Sequence, residues 1–214
     1  MNKFKVLKNE QITEETFMLR FDRPLLEIKS GQCFNLGLPE IGINREYSMY
    51  SSEKSKYLDF LIRAVEDGII SSQLQRLQIG EYVDIDGPYG EFCIQNPNNI
   101  KTKYLFIGTG TGIAPFHSFI KTYPKLDYKI LHGVRYEKDQ YHNDHYPKDR
   151  YSACISKPDF GSGIRVTDKL EKENFDSDNM KFYLCGNKNM IADCLDILHN
   201  KNVSGDQIIT EVFF

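Results

Sequence analysis

No apolar run in this chain of 214 residues approaches the ~18–20 residues that a bilayer-spanning helix needs, and the opening MNKFKVLKNE has no apolar signal core. A cytoplasmic protein with no membrane partner is expected. Excess charge of one sign is also lacking. With 27 Lys and Arg against 30 Asp and Glu, the net charge of −3 argues against a nucleic-acid surface. Cysteine is sparse and scattered, at Cys33, Cys93, Cys154, Cys185 and Cys194. An odd count with no CxxC pair fits reduced thiols rather than a disulfide framework. No CxxxxCxxC run is present, which excludes a plant-type iron–sulfur cluster in these residues. Internal repeats and low-complexity tracts are missing too. What remains, 40% apolar and 27% charged residues, is ordinary globular composition for one large domain or two small ones.

The hydrophobic pattern changes period once. Up to about Pro97, short runs rich in β-formers recur at Lys3–Leu7, Thr16–Asp22, Cys33–Leu38, Tyr47–Ser51, Leu58–Val65 and Tyr82–Gly87. Turn residues separate them, and Ser71 to Leu77 reads as one short helix. This spacing predicts a small antiparallel barrel or sandwich. Beyond Asn98, strand signals at Tyr104–Gly108, Tyr128–Val134, Tyr151–Ile155 and Lys181–Cys185 alternate with helical stretches at Ile113–Thr122, Thr167–Leu170 and Met190–His199. Alternation of that kind predicts a parallel sheet covered by helices. The polar segment Gln95 to Asn99, with Pro97 inside it, is the expected linker, giving domains of 1–97 and 98–214.

Four constellations carry chemistry. Tyr104 to Thr122 (YLFIGTGTGIAPFHSFIKT) reads as strand, glycine turn and helix, with Gly108, Gly110 and Gly112 allowing close approach to a ligand and Pro115 in the helix's first turn. Unpaired N–H groups at such a turn favour a phosphate, although the same residues suit a bare strand–helix connection equally well. Arg45-Glu46-Tyr47-Ser48 puts a planar guanidinium and an aromatic ring on one face of a strand. Gly68 followed by Ser71 and Ser72 reads as a turn whose serines cap a helix, and such a helix end is also able to receive a phosphate. Cys185-Gly186-Asn187 closes a later strand. His142 and His145, three apart, have no third ligand in the sequence, so a polar surface loop and no metal site are expected.

In order, Arg45-x-Tyr47-Ser48, Gly68-x-x-Ser71, Gly87-Pro88-x-Gly90, Gly108-Thr109-Gly110-Thr111-Gly112-Ile113-Ala114-Pro115, Cys185-Gly186-Asn187-x-x-Met190 and the closing Glu211-Val212-Phe213-Phe214 resemble the ferredoxin–NADP(H) reductase superfamily, in its bacterial ferredoxin/flavodoxin reductase branch. Six motifs in the family's order span nearly the whole chain. The resemblance implies an antiparallel β-barrel that binds FAD, followed by an α/β parallel-sheet domain that binds the nicotinamide nucleotide. Arg45 would contact the flavin pyrophosphate, Tyr47 would pack on the isoalloxazine, and Ser48 would lie near N5, where the hydride arrives. Gly68, Ser71 and Ser72 would bind the remaining phosphate. Gly108, Thr109, Gly110, Thr111 and Gly112 would hold the nicotinamide nucleotide, with Cys185, Gly186 and Asn187 beside its ring and Glu211 orienting the site. Phe213 or Phe214 would cover the flavin, unless the tail is simply a last strand packed in the core. Ser48, Cys185 and Glu211 are the implied catalytic residues.

The branch's 2′-phosphate clamp would map onto Arg135, Ser156, Lys157 and Arg165. Lys157 stands where the branch has arginine, which keeps the charge and loses the bidentate fork. The expected nucleotide is NADPH, with Glu137 and Asp139 near Arg135 as the opposing signal. Little room follows Phe92 for a long adenine-binding loop. The function implied is a monomeric flavoenzyme passing electrons between NADPH and a ferredoxin or flavodoxin through bound FAD. The rival is an NADH-linked reductase component of an oxygenase. A free-flavin reductase, or a flavin subunit that does not turn over nicotinamide, fits the retained motifs less well.

Overall fold

The structure is a computed structural model that describes residues 2–66 and 68–213. Its contacts divide the chain into two units, one taking in the chain up to Ile94 together with Ala114–Pro124, the other Gln95–Ile113 and Lys125–Phe214.

The first unit contains β1 (Asn2–Lys5), β2 (Lys8–Gln11), β3 (Thr16–Asp22), β4 (Cys33–Gly37), β5 (Asn44–Ser48), β6 (Tyr57–Arg63), α1 (Ser71–Arg76) and β7 (Tyr82–Tyr89). They form two antiparallel sheets, ordered β1-β7-β4-β5 and β2-β3-β6. Closure comes from two corners. Between β1 and β2 the amide of Val6 donates to Glu81, just ahead of β7 in one sheet, and that of Leu7 to Arg20 of β3 in the other. After β5, Met49 bridges to Phe60. A chain that changes sheets at corners is how a small antiparallel barrel covers its edges. Alternation then fills the interior. Phe17, Leu19 and Phe21 of β3 lie opposite Ile62, Phe60 and Leu58 of β6, all six at 0% exposure. Each such side chain contributes roughly 1.5–3 kcal/mol of transfer free energy. On the outer face of the same ladder, Arg20 grips Asp59 with two bonds of 2.7 and 2.8 Å.

Two local expectations need correction here. The strand expected at Tyr47–Ser51 runs instead over Asn44–Ser48, because its ladder with β4 begins at Asn44 opposite Gly37 and ends before the Met49 corner. Neither serine caps α1. Ile70 holds the N-cap position, the Ser71 hydroxyl accepts from the Val65 amide at 3.0 Å, and the Ser72 hydroxyl donates to the Gly68 carbonyl. Polar β2 (KNEQ) carried no strand signal and forms through its register with β3.

Helix α2 (Ala114–Thr122) belongs to this unit. His117 donates from Nδ1 to the Tyr50 carbonyl at 2.8 Å with its ring stacked on Tyr50 at 3.8 Å, Ser118 donates to the Ser51 carbonyl, and Thr122 accepts from the Glu53 amide.

The second unit contains β8 (Lys103–Thr109), β9 (Asp127–Val134), β10 (Tyr151–Ile155), α3 (Val166–Lys172), β11 (Met180–Asn187), α4 (Lys188–Asn200) and β12 (Ile208–Phe213). The sheet is wholly parallel, in the order β10-β9-β8-β11-β12. Leu105, Ile107, Leu131, Phe182 and Leu184 pack with Val166 and Leu170 of α3 and Met190, Ile191 and Leu198 of α4. The opposite face carries an aromatic stack of Tyr104, Phe106, Tyr128 and Tyr183. The Gln95 backbone is tied to it, its amide donating to the Tyr183 hydroxyl and its carbonyl accepting from Tyr104, both at 2.7 Å. Successive strands run outward from β8 to β10, then return to β11 on the other side of β8. The direction of winding reverses between β8 and β11, and ligands in open α/β sheets bind at the carboxyl ends beside such a reversal.

Candidate active site

The carboxyl end of the parallel sheet carries one row of residues in register: Ala153, His132, Gly108, Cys185 and Glu211. The glycine turn leaves β8 at that row, as a 3-10 turn over Gly110–Ile113 that runs into α2, with Pro115 at the helix's second position. Backbone packs directly on backbone there. A Cβ on Gly112 would lie 2.4 Å from the Cys185 carbonyl oxygen, and one on Gly186, at φ +129°, would lie 2.4 Å from the Thr109 hydroxyl. That hydroxyl accepts from the Asn187 amide at 3.1 Å. Asn187 in turn caps α4, its side-chain oxygen receiving the amides of Asn189 and Met190. Gly110 sits at φ +54°, and a Cβ there would meet nothing within 4 Å. Thus the turn is clamped to β11 and open beside Gly110, a shape that suits a nucleotide phosphate.

Cys185 is fully buried, with its thiol 3.7 Å from the Glu211 carboxylate, to which it donates. Burial first, then the Glu211 charge and hydrogen bond, push the thiol well above its ordinary range, so it stays protonated. Phe213 is half-buried at the end of β12, opposite Asn187 of β11. Phe214 lies outside the described residues. The tail is therefore a strand at least to Phe213.

Arg135, Ser156, Lys157 and Arg165 come together beyond β9 and β10. The Ser156 amide donates to Val134 and the Lys157 amide to Arg135, at 3.0 and 2.9 Å, while Ile164 returns to pair with Ile155. Gly163 is needed at that return, since a Cβ would sit 2.2 Å from the Ser156 carbonyl. Arg165 caps α3, with its amide held by Asp168 at 2.8 Å. All four side chains are exposed. Asp139 is occupied by the Tyr136 amide, whereas Glu137 accepts from the Asp159 amide at 3.3 Å through one oxygen. Its other carboxylate oxygen is buried with no hydrogen-bond partner.

In the barrel unit, Arg45, Tyr47 and Ser48 lie on β5, opposite Leu36, Phe34 and Cys33 of β4. Arg45 is exposed, Tyr47 half-buried against the core, and Ser48 buried at 4%. Burial pushes the Tyr47 phenol up to about 12, against the pull of the Arg45 charge. The half-buried ring shares the strand with a buried hydroxyl and with the Arg45 guanidinium, which is exposed and donates to the Asn44 carbonyl at 2.8 Å, so apolar surface, a hydroxyl and a cation lie along one strand. Gly68 closes the turn that the Ser71 and Ser72 hydroxyls brace. The imidazoles of His142 and His145 stack on each other at 4.8 Å, and no cluster of three metal-ligating side chains occurs among the described residues. All five cysteines are free, and no helix of the described residues is long and apolar enough to cross a membrane.

Sequence reasoning passed over His132 and Tyr151. The signal available was a histidine set inside an apolar strand run, Tyr128-Lys129-Ile130-Leu131-His132.

Residues 3–94 match the family described as the oxidoreductase FAD-binding domain, and residues 106–196 the one described as the oxidoreductase NAD-binding domain. The two define an oxidoreductase with a flavin-binding and a nicotinamide-nucleotide-binding domain. Ferredoxin–NADP reductase A of Sorangium cellulosum is 27% identical over 247 residues, an alignment covering 97% of this chain and 88% of that protein. The toluate 1,2-dioxygenase electron transfer component of Pseudomonas putida is 29% identical over 198 residues, covering 85% of this chain and 58% of that one. The chain therefore spans about three fifths of the length of its oxygenase-linked relatives, 58% and 62% for the toluate and propane systems. A ferredoxin NADP+ reductase from Neisseria gonorrhoeae, solved with FAD and NADP, superposes with a TM-score of 0.85 at 22% identity over 100% of this chain and 98% of that one. This chain belongs to the ferredoxin reductase family. The sheets anticipated from its sequence, antiparallel first and parallel second, are those of that fold.

Proposed function

We propose that this chain is an FAD-dependent reductase that accepts hydride from NADPH and passes electrons singly to a ferredoxin or flavodoxin. The observation that carries the nucleotide choice is the gathering of Arg135, Ser156, Lys157 and Arg165 at the carboxyl ends of β9 and β10, on the sheet that bears the glycine turn. Three cations and a hydroxyl there suit a ribose 2′-phosphate. Gly108 to Gly112 hold the nucleotide's phosphates, and Cys185, Gly186 and Asn187 receive the nicotinamide. Cys185 acts as a buried, protonated donor to Glu211, fixing that carboxylate without adding a thiolate to the site. On the barrel, Arg45 pairs with the pyrophosphate, the Tyr47 ring packs on the flavin, Ser48 offers its hydroxyl to the ring edge, and Gly68 with Ser71 and Ser72 presents main-chain donors to a phosphate. Phe213 or Phe214 covers the flavin when nicotinamide is away. Bound flavin supplies the conversion between hydride and single electrons. The residues bind, orient and exclude water.

The test is stopped-flow reduction of the flavin by NADPH and NADH side by side. NADPH is expected to reduce faster and at lower concentration, and Arg165→Ala is expected to weaken NADPH at least tenfold more than NADH. Faster, tighter reduction by NADH would reverse the nucleotide assignment, and no reduction by either would remove the reading altogether. A second reading, an NADH-linked reductase serving an oxygenase, is favoured by the buried, unpartnered carboxylate oxygen of Glu137, a suitable acceptor for a free ribose hydroxyl.

A further inference from the structure

His132 and Tyr151 have no part in the roles above, yet they are wired to the nucleotide turn. His132 is fully buried on β9, between Gly108 of β8 and Ala153 of β10. Its Nε2 is 2.9 Å from the Gly110 carbonyl oxygen, and its Nδ1 is 2.8 Å from the Tyr151 hydroxyl. A carbonyl has no proton to give, so Nε2 carries the hydrogen. The neutral ring then has only Nδ1 left to accept, and Tyr151 donates to it. Burial lowers the His132 pKa to about 4 and raises that of Tyr151, so both partners stay neutral at ordinary pH. Tyr146 stacks on Tyr151 at 5.1 Å, and the Tyr141 ring lies 5.9 Å from His132, which fixes the two rings in place.

We propose that His132, locked in one tautomer by Tyr151, is the positioning residue that aims the Gly110–Thr111 peptide at the nucleotide phosphates. In a planar trans peptide the carbonyl and the following N–H point in opposite directions. Turning the Gly110 oxygen in toward His132 therefore turns the Thr111 N–H away from β9. Gly110 needs such a tether, since it is left-handed at φ +54° and a side chain there would touch nothing. The β11 flank of the turn is already fixed, by Gly112 against Cys185 and by Thr109 with Asn187. His132 fixes the β9 flank. Without its donor the Gly110 carbonyl keeps only the weaker bonding of its own 3-10 turn, and the peptide is less held against swinging that carbonyl toward the phosphates, where the negative end of a dipole meets negative charge.

The assignment rests on the turn being the nicotinamide-nucleotide site, and the test separates the two. NADP+ and NAD+ are titrated into the FAD-loaded protein, and flavin reduction is followed as a function of NADPH and NADH. His132→Phe is expected to weaken nucleotide binding about tenfold. Its FAD content should stay whole, and its flavin reduction rate at saturating nucleotide should stay within about threefold. His132→Gln, which restores a donor near the Nε2 position, is expected to recover most of the affinity. Tyr151→Phe should fall between the two. Wild-type affinity in His132→Phe overturns the assignment, as does His132→Gln binding no better than His132→Phe. Wild-type protein that binds neither nucleotide overturns both the assignment and the reading beneath it. Should His132→Phe fail to fold, 15N NMR of the wild-type imidazole decides. An Nε2–H tautomer with a slowly exchanging proton supports the tether, and an Nδ1–H tautomer overturns it.

Discussion

Gly112→Ala puts the fit of the glycine turn against β11 to a quantitative test. The added Cβ would lie 2.4 Å from the Cys185 carbonyl oxygen, 2.8 Å from its carbon and 3.0 Å from the Gly186 Cα. Ordinary van der Waals contact begins near 3.4 Å, so the two backbones must part by about 1 Å. Neither has an easy way to give. Cys185 is hydrogen-bonded into a strand flanked by β8 and β12, and the turn is covalently continuous with β8 on one side and α2 on the other. Overpacking of this kind costs roughly 1–3 kcal/mol. At about 2–4 °C per kcal/mol for a chain of this size, a cost near 3 kcal/mol lowers the melting temperature by about 6–12 °C. If the turn moves instead, a displacement of about 1 Å at the proposed nucleotide site is expected to slow flavin reduction roughly 100-fold. The assay is thermal unfolding together with stopped-flow flavin reduction, with FAD content checked by absorbance. Gly110→Ala is the control: with nothing near its Cβ, it should cost only the roughly 1–2 kcal/mol of a left-handed alanine. A Gly112→Ala protein that melts within about 2 °C of wild type and is reduced at the same rate would refute the packing argument.

Three further outcomes are expected. His132 has a folded pKa near 4 against an ordinary 6.5, so the unfolded chain takes up its proton first as pH falls, and stability is lost between pH 6.5 and 4. The loss amounts to about 3 kcal/mol, with Tyr151 and Tyr141 the titratable neighbours of the ring; equal pH slopes in denaturant unfolding of wild type and His132→Gln would show that the ring does not titrate this way. Asp59→Ala strips Arg20 of both its carboxylate bonds at a largely buried site and should lower stability by about 2 kcal/mol. A change under about 0.5 kcal/mol in urea unfolding would mean that water replaces the pair at no cost. His117→Phe keeps a ring to stack on Tyr50 but removes the donor to the Tyr50 carbonyl, for about 1–2 kcal/mol by the same measurement, and a neutral result would show the bond to be dispensable.

Local chemistry made much of the molecule readable. Tyr151–Ile155 and Thr16–Asp22 are strands at the anticipated bounds, because β-branched and aromatic alternation is a property of neighbouring residues. The glycine turn was readable for the same reason, since three glycines at alternate positions after an apolar run leave few other conformations worth their entropy. Polar β2 was not readable, and neither was the Asn44 start of β5, because each is fixed by a partner strand distant in sequence. Ser71 and Ser72 looked like caps because capping is a local habit of serine. Their hydroxyls turn back to Val65 and Gly68 instead, a choice made by the folded turn.

By itself, then, the sequence determined the two kinds of sheet and the glycine turn that follows the first strand of the parallel one. Tertiary structure alone decided that Glu211 stands beside Cys185, that Arg135, Ser156, Lys157 and Arg165 share one end of the sheet, and that His132 reaches the Gly110 carbonyl. The physical reason is range. Propensity and periodicity act over a few residues, whereas the row from Ala153 to Glu211 exists only because five parallel strands fall into one register.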